Sequence, residues 1–345
     1  MKQKLFIISN ESIYANNNKF FCDNIDLKST PESLGKKFEI NILARKSPRK
    51  RFHQIKLKKI QLFNNIFSYI YATINAAKYK EAKFLIISIS PFTFFACIFL
   101  RIMGKTPLVY LRSDGFGEYK AILGKIGPII YFFMFWIIGL ISKLASCRSY
   151  ILRGKSGKIL NPSQLDTTWL RKPKSIDFKK FKLLYVGRIR IEKGIFSLVD
   201  LIKNKKNLSL TIIGAEQNKS YGINQSNVII KNIESNKNKL IKYYDDHNIF
   251  ILPSFTEGHP MALLESLARR RPVVIFEDID HVIEEKKGIF VSKRNFLDLF
   301  KTLNFIKNNY NSIQNDLRKN HLPTHKEFIR DFIKLIDESD EKLIR

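Results

Sequence analysis

Two carboxylates lie close together in the sequence PSFTEGHPMALLESLARRRPVV. Glu257 is in a polar loop that follows a strand-length apolar run, and Glu265 lies in the helix that is predicted to come next. A loop carboxylate can accept hydrogen bonds from sugar hydroxyls, and a carboxylate on the helix can hold a ribose. The competing interpretation is an ordinary solvated helix preceded by a loop carboxylate, and the spacing alone does not decide between the two.

The start of that helix is suited to phosphate binding. Pro260 fits the first helical position, and the N–H groups that follow, including those of Met261 and Ala262, have no partner within the helix. These N–H groups and the helix dipole attract an anion. A phosphate site is therefore predicted beside Glu257.

Two cations follow a second buried run, LLYVGRIRIEKG. The predicted strand ends at Gly187, where the backbone can approach a ligand closely, and Arg188 and Lys193 come next. The two cations could neutralise a diphosphate leaving group, which is the main electrostatic task when a sugar–diphosphate bond breaks. The alternative is that they are ordinary surface cations in a chain with 60 Lys and Arg residues.

Strand-length apolar runs alternate with helix-length segments along the whole chain. The runs are continuous, which is typical of parallel strands buried on both faces, and their order predicts doubly wound α/β domains. Ligands of such sheets bind beyond the carboxyl ends of the strands. Strands are predicted at residues 4–9, 38–44, 84–88, 108–111, 149–152, 182–186, 208–213, 227–230, 249–252, 272–276 and 288–291.

A linker is predicted over residues 161–177, which contain two prolines and no strand-length apolar run. We therefore expect an N-terminal domain over 1–168 and a C-terminal domain over 169–324. A final helix over 325–345 follows, and a return of this helix to the N-terminal domain is one arrangement. Two facing sheets would leave a ligand cleft between the domains.

Together these segments resemble the donor-binding domain of family-four glycosyltransferases, which have the two-domain GT-B fold. The resemblance extends over roughly residues 182–291 and rests on Gly187-Arg188 with Lys193-Gly194, Pro253-Ser254, Glu257-Gly258 with Pro260, Glu265, and Pro272-Val273-Val274. It implies a donor domain in the C-terminal half and an acceptor domain in the N-terminal half. It also implies transfer from a nucleoside-diphosphate sugar with retention and without a metal.

The resemblance implies a role for each matching residue. Arg188 and Lys193 would bind the donor diphosphate, Glu257 would contact the sugar near the reacting centre, and Glu265 would hold the ribose hydroxyls. The other residues expected beside the phosphates or the base are Gly187, Gly258, His259, Pro260, Met261, Ala262, Ile233 and Glu234.

Several positions depart from the family pattern. Arg271 stands where a glycine is usual, and His281 stands where a glutamate is expected in the loop Glu277–Glu284, which leaves the donor sugar open. The usual N-terminal glycine pair is missing. Asp114 lies near the position at which the family usually has a histidine. One interpretation is that Asp114 accepts a proton or positions the acceptor. The other is that it is a turn residue before Gly115.

Asp278 and Asp280 form an Asp-x-Asp pattern that holds a divalent cation in another transferase fold. This pattern is short and common by chance, and it follows a phosphate site that needs no metal. We therefore expect no metal and no cofactor apart from the nucleotide-sugar donor. The three cysteines show no metal-ligand spacing and no disulfide pattern, which fits a reducing cytoplasm.

The formal net charge of +29 favours anionic partners or reflects a coding bias toward Lys, Asn, Ile and Phe. The uncharged segment 126–142 is at the lower length limit of a membrane span. The alternatives are a helix in the core and a helix that docks on a membrane surface. Together with the net charge and the basic run 45–59, this segment predicts a cytoplasmic protein that is peripheral on the inner face of the membrane. The expected acceptor is a saccharide or a lipid-linked acceptor in cell-surface polysaccharide or glycolipid synthesis.

Two other functions remain open from the sequence. An epimerase or phosphorylase of the same fold would share the nucleotide or phosphate cleft. A nucleic-acid-binding protein is suggested by charge alone, but its cations would cluster in one stripe or tail, whereas here they are spread along the chain. No nucleic-acid partner is therefore expected.

Overall fold

The computed structural model describes residues 2–176, 178–216 and 219–339, and the chain divides into two compact units. One unit contains the residues up to Pro162 and those from Lys326, and the other is Ser163–His325. Each unit has a hydrophobic core of its own.

The first unit is built on a mostly parallel sheet. Its parallel strands lie in the order β5-β3-β1-β6-β7-β8-β9, and β2 and β4 form an antiparallel extension at the far end of β1. Up to residue 162 its elements are β1 (Lys4–Asn16), β2 (Lys19–Cys22), α1 (Ile25–Leu34), β3 (Glu39–Lys46), β4 (His53–Ile55), β5 (Ile60–Phe63), α2 (Ile66–Ala77), β6 (Lys83–Ile87), α3 (Pro91–Ile102), β7 (Leu108–Leu111), α4 (Gly115–Leu123), α5 (Gly127–Ile141), β8 (Lys143–Ser146) and β9 (Lys158–Ile159).

Helices α2, α3 and α5 lie on one face of this sheet. Each of them connects strands that step in the same direction across the sheet, and right-handed crossovers then place all three on the same side. Helix α2 packs against α3, α3 against α5, and α5 against α4.

One predicted strand of the first unit is wrong. Ser149–Leu152 is a 3-10 turn that ends at Arg153 in the left-handed conformation, and its apolar residues Ile151 and Leu152 are buried from that turn. The strand next to β7 is instead β8, whose short run KLAS has too few apolar residues to predict a strand. Strand β1 also extends to Asn16, beyond its predicted end, because it forms a hairpin with β2.

The second unit contains a six-stranded parallel sheet in the order β12-β11-β10-β13-β14-β15. The strand order reverses between β10 and β13, so a crevice opens beyond the carboxyl ends of these two strands. Its elements are β10 (Phe181–Val186), α6 (Ile195–Leu201), β11 (Leu208–Ala215), β12 (Val228–Asn232), α7 (Lys237–Asp246), β13 (Ile249–Leu252), α8 (Met261–Ala268), β14 (Val273–Phe276), β15 (Ile289–Ser292), α9 (Phe296–Asn308) and α10 (Tyr310–Leu317).

The last helix, α11 (His325–Glu338), returns to the first unit. Its apolar stripe, which includes Phe328 and Phe332, is buried in the core of that unit. The ammonium of Lys83 donates to the carbonyl oxygens of Ile336 and Asp337 at 2.9 and 3.1 Å, and a cation at this position satisfies the free carbonyls of the helix end.

Candidate active site

The predicted cation and carboxylate meet at the crevice of the second unit. Strands β10 and β13 are parallel neighbours, so the residues that follow them lie at the same edge of the sheet. Lys193 ends a 3-10 turn after β10, and its Nζ lies 2.7 Å from Oε1 of Glu257 in the loop after β13. The two side chains are only 21% and 10% exposed, so this ion pair is largely removed from solvent.

Ser254 holds the same carboxylate from a second direction. Its hydroxyl is fully buried and donates to Oε1 of Glu257 at 2.6 Å. Within the described residues, Oε2 of Glu257 has no hydrogen-bond partner. The carboxylate is thus fixed in place while one oxygen stays available for a donor such as a sugar hydroxyl.

Glycines allow the backbone segments of the site to approach each other. Gly194 has φ +64°, and a Cβ there would lie 1.9 Å from the carbonyl oxygen of Pro253. A Cβ at Gly214 would lie 1.8 Å from the carbonyl oxygen of Gly187. Neither position has room for a side chain, so the close fit of these loops depends on glycine.

Arg188 is an exposed cation directly after Gly187. The hydroxyl of Tyr185 donates to the carbonyl oxygen of Arg188 at 2.9 Å, which fixes the backbone at this point. The guanidinium forms no ion pair with a carboxylate in the part of the chain that the structure describes. It is therefore free to contact an anionic ligand at the end of β10.

Helix α8 begins at Met261, and Pro260 is the residue immediately before it. The prediction that Pro260 is the first helical residue is therefore wrong by one position. The amide of Leu263 donates to the carbonyl oxygen of Pro260. Among the described residues, the amides of Met261 and Ala262 have no acceptor, so the predicted anion-binding groups are present at the end of the crevice loop.

Gly258 and His259 lie in the loop between Glu257 and α8. The neighbouring loop contributes His281, whose Nε2 lies 2.8 Å from the carbonyl oxygen of Glu257. The residue that replaces the expected glutamate therefore contacts the backbone of the site.

Asp278, the first carboxylate of the Asp-x-Asp pattern, is paired with a protein cation. Asp278 forms an ion pair with Arg294, and the Arg294 guanidinium also donates to the carbonyl oxygen of Pro253 at 3.0 Å. In the described ranges no group of three or more His, Cys, Asp or Glu side chains is placed to hold a metal ion. Arg294 itself gave no signal in the sequence, because it is one of many basic residues and lies after β15.

Glu265 lies on α8 and contacts α7. The hydroxyl of Tyr244 donates to Oε2 of Glu265 at 2.8 Å. Burial raises the pKa of Glu265 to about 7, although part of the side chain reaches the surface, and the hydrogen bond from Tyr244 opposes this shift only in part. Tyr244 carries no signal in the sequence, because it is a helix residue 21 positions from Glu265 and no local pattern indicates a polar partner.

Arg271, which replaces the usual glycine, is a fully buried cation at 1% exposure. Its guanidinium donates to the carbonyl oxygens of Tyr244, Asp245 and Lys174 at 2.9, 3.0 and 2.9 Å. Arg271 thus ties the end of α7, which holds Tyr244, to the segment that precedes β10.

The residues predicted beside the base follow β12 at the same edge of the sheet. The amide of Ile233 donates to the carbonyl oxygen of Ala215 at 3.0 Å, and Oε1 of Glu234 accepts the amide of Asn236 at 2.7 Å. Both side chains are partly exposed. Their contact with a base stays a prediction.

Asp114 lies in the first unit, where it caps the start of α4. Its Oδ1 accepts the amide of Phe116 at 3.2 Å, and its Oδ2 lies 3.2 Å from the guanidinium of Arg153. These contacts agree with the interpretation as a turn residue, and a catalytic role for Asp114 stays a proposal.

The architecture is that of the GT-B class, with two Rossmann-like domains. Residues 166–321 match the family described as glycosyl transferases group 1. The structure of HepE from Anabaena in complex with UDP superimposes with a TM-score of 0.68, at 9% identity, over 97% of this chain and 100% of that chain. At this identity the likeness shows the fold.

Two bacterial proteins are similar in sequence over part of the chain. An uncharacterized glycosyltransferase of Haemophilus influenzae is 27% identical over 165 residues, which are 44% of this chain and 45% of that protein. The capsular polysaccharide biosynthesis glycosyltransferase CapM of Staphylococcus aureus is 28% identical over 133 residues, or 34% of each chain. The matched segment spans less than half the length of either relative.

Proposed function

We propose that the protein is a glycosyltransferase that moves a sugar from a nucleoside-diphosphate sugar to a saccharide or lipid-linked acceptor. The observation that supports this function best is the Lys193–Glu257 pair beside the start of α8, in the segment that matches the group 1 family. A cation for the diphosphate and a carboxylate for the sugar are thereby held together at one edge of the sheet.

In this proposal the donor diphosphate lies against Arg188, Lys193 and the first amides of α8. The bond between the anomeric carbon and the diphosphate oxygen breaks, and the acceptor hydroxyl oxygen forms the new bond to that carbon. The hydroxyl proton passes to the released diphosphate oxygen. The two cations stabilise the negative charge that develops on the leaving diphosphate. Glu257 accepts hydrogen bonds from the sugar, and Glu265 accepts them from the ribose. In this proposal the transfer retains the anomeric configuration and needs no metal.

The names of similar proteins support a biosynthetic setting. CapM is named for capsular polysaccharide biosynthesis, and HepE has been solved with UDP and with UDP-glucose. We therefore propose a role in cell-surface polysaccharide or glycolipid synthesis, with uridine diphosphate sugars as the first donors to test. The first unit would bind the acceptor, and the protein would work in the cytoplasm at the inner face of the membrane.

A thermal-shift screen against nucleoside diphosphates and their sugars tests this function first. A nucleotide that binds the native state raises the apparent stability. Labelled donor of the selected type is then incubated with and without a membrane lipid extract. We expect stabilisation by one nucleotide class and label transfer that requires the extract. Epimer formation without any acceptor would favour an epimerase, and no stabilisation by any nucleotide would contradict the donor site.

A further inference from the structure

One side of the first unit presents an extended apolar surface, which we call the apolar face. Helices α2, α3 and α5 form it, with α3 between the other two. Each helix buries one stripe of side chains toward the sheet. Their outward stripes expose large apolar side chains at 49–81% accessibility, among them Phe67, Tyr71, Ile102, Phe133, Trp136 and Leu140.

The apolar face lacks the charges that a water-exposed helix layer usually has. Helices α2 and α5 contain no charged residue, and α3 contains only Arg101 in its last turn. Surface helices normally place charged residues opposite the buried stripe. Soluble monomers rarely expose contiguous apolar patches larger than about a few hundred Å². The face is therefore suited to a partner that is apolar at the contact.

Basic side chains border the apolar face at the helix ends. The stretches at these helix ends contain six basic residues, Lys78, Lys80, Arg101, Lys105, Lys120 and Lys125. They contain only two acidic residues, Glu81 and Glu118. A bilayer with anionic headgroups offers an apolar interior and a negative border, which complements both properties. A second copy of the same face would instead bring two positive borders together.

We propose that the apolar face docks flat on an anionic lipid bilayer, with α5 in the headgroup region. The segment Gly124–Ile141 is long and apolar enough to cross a membrane by length and composition. However, α5 is fixed in the unit by Tyr131, Phe135 and Ile138, which are at most 3% exposed. A Cβ at Gly127 would lie 2.0 Å from the carbonyl oxygen of Tyr119, so the backbones of α4 and α5 are in contact.

The docking surface rests on the proposed function for its purpose, because it would bring the first unit to an acceptor that resides in a bilayer. The binding itself depends only on the apolar face and its basic border. Its test therefore uses neither donor nor acceptor, and each variant is checked for nucleotide-induced thermal stabilisation, so that the two proposals can fail separately.

Tryptophan fluorescence gives a direct measurement of the contact. The chain has two tryptophans, of which Trp136 is 49% exposed on the apolar face and Trp169 is 3% exposed in the other unit. With vesicles of phosphatidylcholine and phosphatidylglycerol we expect a blue shift and quenching by brominated acyl chains. Trp136→Phe should still float with the vesicles but lose this quenching.

A pair of matched double variants tests the location. Phe133→Glu/Trp136→Glu should reduce vesicle binding about ten-fold or more, because it removes the apolar anchor. Leu297→Glu/Phe305→Glu replaces apolar residues of similar exposure on α9 and should change binding less than about two-fold. Lys120→Glu/Lys125→Glu reverses two of the six border charges and should weaken the preference for anionic over neutral vesicles.

Three results would overturn the docking surface. The first is no binding to anionic vesicles at moderate salt. The second is resistance of the bound protein to alkaline extraction, which would indicate a spanning helix. The third is a concentration-dependent dimer that the Phe133→Glu/Trp136→Glu variant disrupts while vesicle binding is absent, which would show that a second copy covers the face.

Discussion

Lys193 and Glu257 are 64 residues apart in the sequence, yet Nζ and Oε1 are 2.7 Å apart in the structure. The pair joins the cation proposed for the diphosphate to the carboxylate proposed for the sugar. Without a donor, each side chain neutralises the other, so neither is an unpaired buried charge. A bound diphosphate would compete with Glu257 for the ammonium of Lys193, which couples donor binding to the release of this carboxylate.

Glu257→Gln should reduce transfer about 100-fold or more, because it removes the negative charge while it keeps the size of the side chain and the contact with Ser254. The donor KM should change much less than kcat, since the diphosphate contacts remain. Steady-state kinetics measures both, with the exposed Glu285→Gln as the matched control. Near-normal turnover in Glu257→Gln would remove this carboxylate from the mechanism.

Gly194→Ala should weaken nucleotide binding about ten-fold or more, because its Cβ would lie 1.9 Å from the carbonyl oxygen of Pro253 and push Lys193 away from the loop after β13. Gly222→Ala is the matched control. Gly222 has nearly the same φ, +65°, but a Cβ there meets nothing within 4 Å among the residues that the structure describes. Equal affinities of the two variants in a calorimetric titration would show that the close approach is not needed.

Nucleotide-sugar binding should tighten as the pH rises from about 6 to about 8. The pKa of Glu265 is raised to about 7, so below that pH the free protein holds a proton that ribose hydrogen bonds would displace. Glu265→Gln should remove this dependence. The ligand for this measurement is an intact nucleotide sugar, because its phosphates do not titrate between about pH 6 and about pH 8. A nucleoside diphosphate is unsuitable, because its terminal phosphate has a pKa of about 6 and would add its own pH dependence. A flat profile in the wild type would contradict the raised pKa or the ribose contact.

The same carboxyl should make the free protein less stable as the pH rises. The unfolded chain releases the Glu265 proton near the ordinary value of 4.5, whereas the folded protein keeps it until about 7. The folded state therefore binds more protons between these values, and stability falls across that window. Glu265→Gln should raise the melting temperature relative to the wild type above pH 7 and lose this advantage toward pH 4.5.

Arg271→Leu should destabilise the second unit by about 2–4 kcal/mol, because it leaves three carbonyl oxygens at the end of α7 and before β10 without their donor. Chemical unfolding followed by Trp169 fluorescence, in a Trp136→Phe background, reports on this unit alone. Arg270→Leu changes the neighbouring, less buried arginine and should cost less than about 1 kcal/mol. Similar losses in both variants would mean that the network of Arg271 adds little.

The strands of the second unit could be predicted from sequence, because their continuous apolar runs differ sharply from the polar loops that follow. The same reasoning failed at Ser149–Leu152, where an apolar run is buried from a 3-10 turn, and at β8, which is mostly polar or small. A short apolar run predicts that its residues are buried, but it does not predict whether the backbone is a strand or a turn.

The site could be predicted as a set of residues but not as a set of contacts. Residue types and spacing made Arg188, Lys193 and Glu257 candidates, and the resemblance implied their roles, which stay predictions. The contact of Lys193 with Glu257 is possible because β10 and β13 are neighbours. The hydrogen bond of Tyr244 to Glu265 depends on how α7 packs against α8, which no local pattern encodes. Arg271 looked only like a departure, since nothing in the sequence indicates that a cation is buried there.

Calorimetric titration of the nucleoside diphosphate selected in the thermal-shift screen tests the donor site most directly. Arg188→Ala/Lys193→Ala removes the two cations at the crevice, and Arg318→Ala/Lys206→Ala removes two exposed cations elsewhere in the same unit. We predict that the first variant loses affinity about ten-fold or more and that the second binds like the wild type. Equal affinity in the two double variants would contradict a donor diphosphate at Arg188 and Lys193.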